Sequence, residues 1–111
     1  MFKLAIIVGT DRPNSKSQVM ANYVHELYSE RGVDAQVFSM ADFPLGSVVG
    51  GPYGKDLPEI EAFREPILAC DALLFVIPEY NGSFPGVLKV FIDYLPFPDA
   101  FVATPIAYIG I

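Results

Sequence analysis

Residues 72–95 read ALLFVIPEYNGSFPGVLKVFIDYL. The first six are apolar without alternation, which is the pattern of a strand buried on both faces of a parallel sheet. The chain then restarts as a helix, expected from about Pro85 to Tyr94. Between the two lies PEYNGS, with a carboxylate, a phenol, an amide, a glycine and a hydroxyl in six residues. A loop that only connects elements needs one or two turn formers, so this one is equipped to grip a ligand.

The pattern repeats outward from that stretch. Phe2 to Val8 is apolar apart from Lys3 and stops at Gly9, which predicts a first strand. From Ser15 the period becomes helical, with Val19, Met20, Tyr23, Val24, Leu27 and Tyr28 as the apolar set, Ser15 and Gln18 as an S-x-x-Q capping box, and Gly32 as the stop. Asp34 to Met40 reads as a weaker strand and Asp42 to Lys55 as a Gly/Pro-rich loop. Pro58 opens a second helix with Ile60, Phe63, Ile67 and Leu68 inward, bent or shortened by Pro66. Thr104 to Ile111 is a fourth strand. Alternating strands and helices predict a parallel sheet covered on both faces, and in such sheets ligands bind beyond the strands' carboxyl ends, where the winding reverses. Both polar loops, GTDRPNSKS at 9–17 and PEYNGS at 78–83, fall at those ends, the geometry of a nucleotide or flavin site.

A chain of 111 residues, about half apolar, is expected to form a single domain over 1–111. Thirteen acidic against seven basic residues give a formal charge of −6, which argues against nucleic acid as a partner. MFKLAIIVG is too short to span a bilayer and lacks a cleavage site, so it reads as a strand of a cytoplasmic protein without a membrane partner. The single cysteine, Cys70, agrees with a reducing compartment. It reads as a small buried hydrophobe and His25 as an exposed mid-helix residue, and neither is assigned a catalytic role. No metal ligands are assigned. Lys89 and Asp93 form a surface pair at helical spacing. Tyr94 and Phe97 read as core residues, with subunit contact as the alternative.

In Gly9–Ser17, Thr10, Arg12, Asn14, Ser15 and Ser17 surround a helix N-terminus, whose free N–H groups and positive dipole end suit a phosphate. The same residues also fit an ordinary helix start, with Ser15 as cap and Arg12 as a solvated charge. G-x-G-x-x-G and G-K-[S/T] are both absent, which favours a phosphate monoester over a pyrophosphate. In the second loop, Gly82 permits positive φ and close approach to a flat ligand, Asn81 and Ser83 offer donors, and Tyr80 offers a ring. Ser83 is expected to cap the third helix, with Pro85 in its first turn. Glu79, at the tip of a buried strand, needs solvent or a partner.

Together, G-T-x-R-P-x-S-x-S at 9–17, A-D-F-P-L at 41–45 and P-E-Y-N-G-S-x-P-G-x-L-K-x-x-I-D at 78–93 resemble the NADPH-dependent FMN reductase family over the whole chain. The resemblance implies a flavodoxin-like, doubly wound α/β fold in three layers. It implies FMN as cofactor, NADPH or NADH as electron donor, and a flavin, quinone or similar small molecule as acceptor. A flavin-binding electron carrier without pyridine-nucleotide activity is the alternative, and a truncated domain that binds no cofactor is a third reading. By the resemblance Arg12, Ser15, Ser17 and Gln18 hold the FMN phosphate, Pro78, Glu79, Tyr80, Asn81, Gly82 and Ser83 border the ring, and Thr10 belongs to the same cofactor set. Val90 departs from the family pattern, which usually has Asn there. A flavodoxin-like sheet has five strands ordered 2-1-3-4-5, and four are legible here. The expectation is therefore an order 2-1-3-4 without the fifth, C-terminally incomplete, with the exposed edge recruiting a homodimer or homotetramer.

Overall fold

The computed structural model describes residues 1–53, 55 and 57–111. Its strands are β1 (Lys3–Val8), β2 (Asp34–Ser39), β3 (Ala72–Ile77) and β4 (Ile106–Gly110), in one sheet of order β2-β1-β3-β4. Every pairing is parallel. The apolar runs explain which strands are central: Leu4–Val8 and Ala72–Val76 are buried throughout, because successive side chains point to opposite faces and both faces are covered.

The cover comes from α1 (Lys16–Glu30), α2 (Pro58–Leu68) and α3 (Gly86–Asp93). On one face Leu4, Ile6, Val8, Leu74 and Val76 pack with Ala21 and Val24 of α1. On the other, Ala5, Ile7, Leu73 and Phe75 pack with Ile60 and Ile67 of α2 and with Val87, Leu88 and Phe91 of α3. There Phe43, Phe63 and Phe91 meet edge to face, with ring centroids 5.5–5.9 Å apart. Each such contact adds about 0.5–1.5 kcal/mol beyond simple area burial. The layers are thus helix, sheet, helix. Because β1 lies between β2 and β3, the winding reverses between β1 and β3, and the loops after those two strands diverge from that point.

Several expectations shift. The buried stripe of α1 is Ser17, Ala21 and Val24, whereas Val19 and Tyr23 are 68% and 57% exposed. Small Ala21 lets the helix lie close on the sheet, and a residue two positions away points about 200° around the axis. α2 continues through exposed Pro66 and ends at Leu68, which is only half-buried. β2 gives way at Met40 to a 3-10 turn, Met40–Asp42, in which Ser39 Oγ accepts from Ala41 N–H. The expected loop at 42–55 holds a second 3-10 turn, Leu45–Val48; Gly54 of that loop lies outside the described residues. β4 is shorter than the predicted 104–111. Tyr94 is buried as expected, but Phe97 is 95% exposed and is no part of the core. His25 is half-buried rather than exposed.

β4 remains an apolar rim. Ile106, Tyr108 and Ile111 are exposed, although Tyr108 stacks on Phe75 with centroids 5.7 Å apart. Between β4 and α1 runs a groove of about 500 Å³ lined by Val24, Leu27, Tyr28, Leu74 and Ile109. No described helix is long and apolar enough to cross a membrane.

Candidate functional site

The loop after β1 is folded hard against its neighbours. Gly9 N–H continues the sheet pairing by donating to Val76 O at 2.9 Å. A Cβ on Gly9 would lie 3.3 Å from Ile77 Cγ1, Leu88 Cδ2 and Val76 O, so a side chain here fits only if these neighbours give by a few tenths of an ångström. Thr10 follows, buried, and its Oγ1 accepts from Arg12 N–H at 3.2 Å. Asn14, at φ 53°, turns the chain into α1, a conformation asparagine tolerates better than most residues. Ser15 then caps α1 by accepting from Gln18 N–H at 3.0 Å. Only this half of the expected capping box forms. The Gln18 side chain donates instead to Asn22 Oδ1, one helical turn on, at 2.9 Å. Ser17 is enclosed in the first turn, where the N–H groups of Lys16 and Ser17 have, by position, no intrahelical acceptor.

The loop after β3 is built differently. Asn81 and Gly82, with φ of 53° and 78°, form the two-residue turn that Asn-Gly favours because both central residues need positive φ. Tyr80 N–H donates to Ser83 O at 2.8 Å and Ser83 N–H to Tyr80 O at 3.2 Å. Glu79 finds its partner inside the turn, its carboxylate accepting from Gly82 N–H. Ser83 does not cap α3: that helix starts at Gly86 with Pro85 as N-cap and no side-chain cap. The backbone of Ser83 closes the turn, and Phe84 and Pro85 separate the residue from the helix.

Tyr80 joins the loops. Its hydroxyl lies 2.7 Å from Thr10 Oγ1, and its ring lies 4.9 Å from Arg12 Cζ. Two cavities adjoin there. One, of about 310 Å³, is lined by Arg12, Asn14, Ser15, Lys16, Ser17 and Tyr80. The other, of about 440 Å³, is bordered by Ile77, Glu79, Gly82, Ser83 and Phe84 and by the end of β4. Pro78 and Ile111 line both. The two cations therefore stand on one side with Ser15 and Ser17, while the other side is mainly apolar, with polar side chains at Glu79 and Ser83.

Of the expected site residues, Arg12, Ser15, Ser17 and Tyr80 fall on the polar cavity, Glu79, Gly82 and Ser83 on the apolar one, and Pro78 on both. Thr10, Gln18 and Asn81 line neither: Thr10 is buried behind Tyr80, Gln18 is turned to Asn22, and Asn81 sits exposed at the turn tip. Sequence reasoning passed over Lys16, a second cation in the helix's first turn, although its place between two motif serines was a usable signal. It also passed over Phe84 and the end of β4, which carry no polar signal and reach the cleft only through the register Ile77↔Gly110. Cys70 lies elsewhere, on a small cavity with Lys3 and Asp34 at the sheet's opposite end. Burial pushes its thiol above the ordinary value, and Lys3 partly opposes this.

A parallel sheet wound both ways, with a polar and apolar cleft where the winding reverses, defines a flavodoxin-like α/β protein. More specifically, the chain belongs to the NADPH-dependent FMN reductase family, whose model matches residues 2–111. It is 30% identical over 113 aligned positions to the FMN-dependent NADPH-azoreductase of Staphylococcus aureus, covering 98% of this chain and 60% of that protein. Among solved structures it resembles FerB, a flavoenzyme NAD(P)H:(acceptor) oxidoreductase from Paracoccus denitrificans, with TM-score 0.77, 24% identity, and 99% and 60% of the two chains covered. It also resembles a mutant flavodoxin from Pseudomonas aeruginosa, with TM-score 0.63, 23% identity and coverage of 99% and 61%. The chain thus spans about three fifths of the length of these relatives.

Proposed function

We propose that the cleft binds FMN and that the chain acts as an FMN-dependent NAD(P)H oxidoreductase, serving a flavin, quinone or similar small acceptor. The observation that carries this reading is the pair of adjoining cavities, one bearing Arg12, Lys16, Ser15 and Ser17 and the other lined almost wholly by apolar surface. FMN is itself divided in this way, a phosphate dianion at one end and a flat ring system at the other. Arg12, Lys16, the hydroxyls of Ser15 and Ser17 and the N-terminus of α1 suit the phosphate. Pro78, Phe84 and the end of β4 offer apolar contact to the ring, and Gly82 leaves open space where a side chain would stand.

When bound, FMN supplies the hydride chemistry, and the protein's task is placement and electrostatics. The turn at 80–83 fixes the backbone that borders the ring, and no protein nucleophile is required. The carboxylate of Glu79 accepts from Gly82 N–H and so adds to the backbone bonds that close that turn.

The chain is expected to work in the cytoplasm with small-molecule partners. Its exposed apolar β4 rim favours a homodimer or homotetramer, because unpaired strand edges and apolar patches recruit other chains. Light scattering at low micromolar concentration, with and without FMN, tests this; a stable monomer throughout would refute the oligomer. The functional test is the visible spectrum of purified protein titrated with FMN, then given NADPH or NADH under anaerobic conditions. Bound flavin that bleaches on addition of the nucleotide is expected. Binding without bleaching would replace the enzyme with an electron carrier, and absence of binding would remove the flavin reading.

A further inference from the structure

Thr10 is 1% exposed yet carries a hydroxyl, and a buried hydroxyl without partners is costly. Its partners come from two loops. Oγ1 accepts from Arg12 N–H on its own loop and shares a hydrogen bond with the phenol of Tyr80, 70 residues away. The Tyr80 ring in turn lies beneath the Arg12 guanidinium, with Cζ 4.9 Å from the ring centroid. A guanidinium within about 6 Å of an aromatic face is attracted by the ring's negative centre. Arg12 is otherwise exposed, and a long exposed side chain loses rotamer freedom when fixed. Something must hold it if it is to meet an anion in one geometry. Tyr80 is suited to do so, because it is pinned at one end by Thr10 and walls the cavity that Arg12 also lines.

We propose that Thr10 and Tyr80 are positioning residues that hold the Arg12 guanidinium at the polar cavity, and that this latch sets the preference for phosphorylated over unphosphorylated flavin. The inference rests on the FMN reading of the cleft. It gives Tyr80 a task distinct from contact with the flavin ring, and it gives Thr10 one although that residue lines no cavity. It also makes the two loops a single device: the phenol of one sets the cation of the other.

The test compares FMN and riboflavin affinities by calorimetric titration, with thermal melting of each variant to verify folding. The wild-type chain should prefer FMN. Tyr80→Phe keeps the ring volume and removes only the hydroxyl, and should narrow that preference about tenfold, the scale of one hydrogen bond close to a charge, with FMN affinity falling further than riboflavin affinity. Thr10→Val should do the same and Thr10→Ser should restore the preference. In an Arg12→Gln background, Tyr80→Phe should narrow it no further, because the latch acts through Arg12. If Thr10→Val does not fold, the Arg12→Gln and Tyr80→Phe pair decides alone. Preference unchanged in Tyr80→Phe, or narrowed equally with and without Arg12, overturns the latch while leaving the FMN reading intact. A wild-type chain with no preference for FMN overturns the phosphate reading and the latch together.

Discussion

α1 and α3 begin in similar stretches of sequence: a buried parallel strand, a polar loop, then a serine ahead of the helix. The structure treats the two serines differently. Ser15 caps α1 through a 3.0 Å bond to Gln18 N–H, while Ser83 closes the Asn-Gly turn against Tyr80 and leaves α3 to start at Gly86 without a side-chain cap. Burial follows the same division. Thr10, Ser15 and Ser17 of the first loop are enclosed, whereas Asn81, Gly82 and Ser83 of the second are exposed. The first loop concentrates fixed donors and charge around a helix N-terminus; the second contributes a backbone shape at the mouth of the cleft. On the proposed reading, similar residue types would serve an electrostatic role on one side and a steric one on the other.

The largest expected effect is on the steric side. Gly82 sits at φ 78°, and a Cβ there would meet nothing within 4 Å of the protein itself. Gly82→Val therefore causes no internal clash, but it puts a β-branched residue in left-handed backbone, a strain of about 1–3 kcal/mol. It also sets a bulky group at the border of the apolar cavity. Loss of flavin binding with the fold retained is expected, checked by flavin titration beside circular dichroism. Unchanged titration would show that the ring lies elsewhere, and the contrast between the loops would then lose its steric half.

The electrostatic half is tested by Ser15→Ala combined with Ser17→Ala. Each hydrogen bond to a charged group is worth about 1.5–3 kcal/mol, so the loss of two should weaken FMN by about a hundredfold or more, with riboflavin much less affected. Equal weakening of both ligands would remove the phosphate from this loop.

Smaller effects separate the serines as structural elements. Ser15→Ala alone loses a formed cap and should cost about 1 kcal/mol of stability in urea unfolding. Ser83→Ala should stay within about 0.5 kcal/mol, as an exposed residue whose turn bonds are made by its backbone. A comparable loss at both positions would mean that Ser83 supports α3 in solution.

Much of the fold was legible because it depends on local patterns. The run ALLFVI coincides with β3 at Ala72–Ile77, since a strand buried on both faces tolerates no polar residue, and Ser15 marked the start of α1 because its cap bond reaches only three residues along the chain. The two loops that line the candidate site stood out for a related reason: their surplus of polar groups exceeded what a connection needs. Other features were settled only by packing. Val19 and Tyr23 had the bulk of a core face but lie outward, because small Ala21 sets how closely α1 meets the sheet. Phe97 looked like a core residue and is exposed, a matter of where the segment after α3 travels rather than of its own hydrophobicity. The end of β4 borders the cleft only through its parallel register with β3, and Tyr80 reaches Thr10 across 70 residues of chain. A sequence written in one dimension records which groups want burial, hydrogen bonds or left-handed backbone, and that determined the strands, the helix start and the two loops. Which group meets which depends on strand order and register, and only the assembled sheet decided that Tyr80 would stand between Thr10 and Arg12.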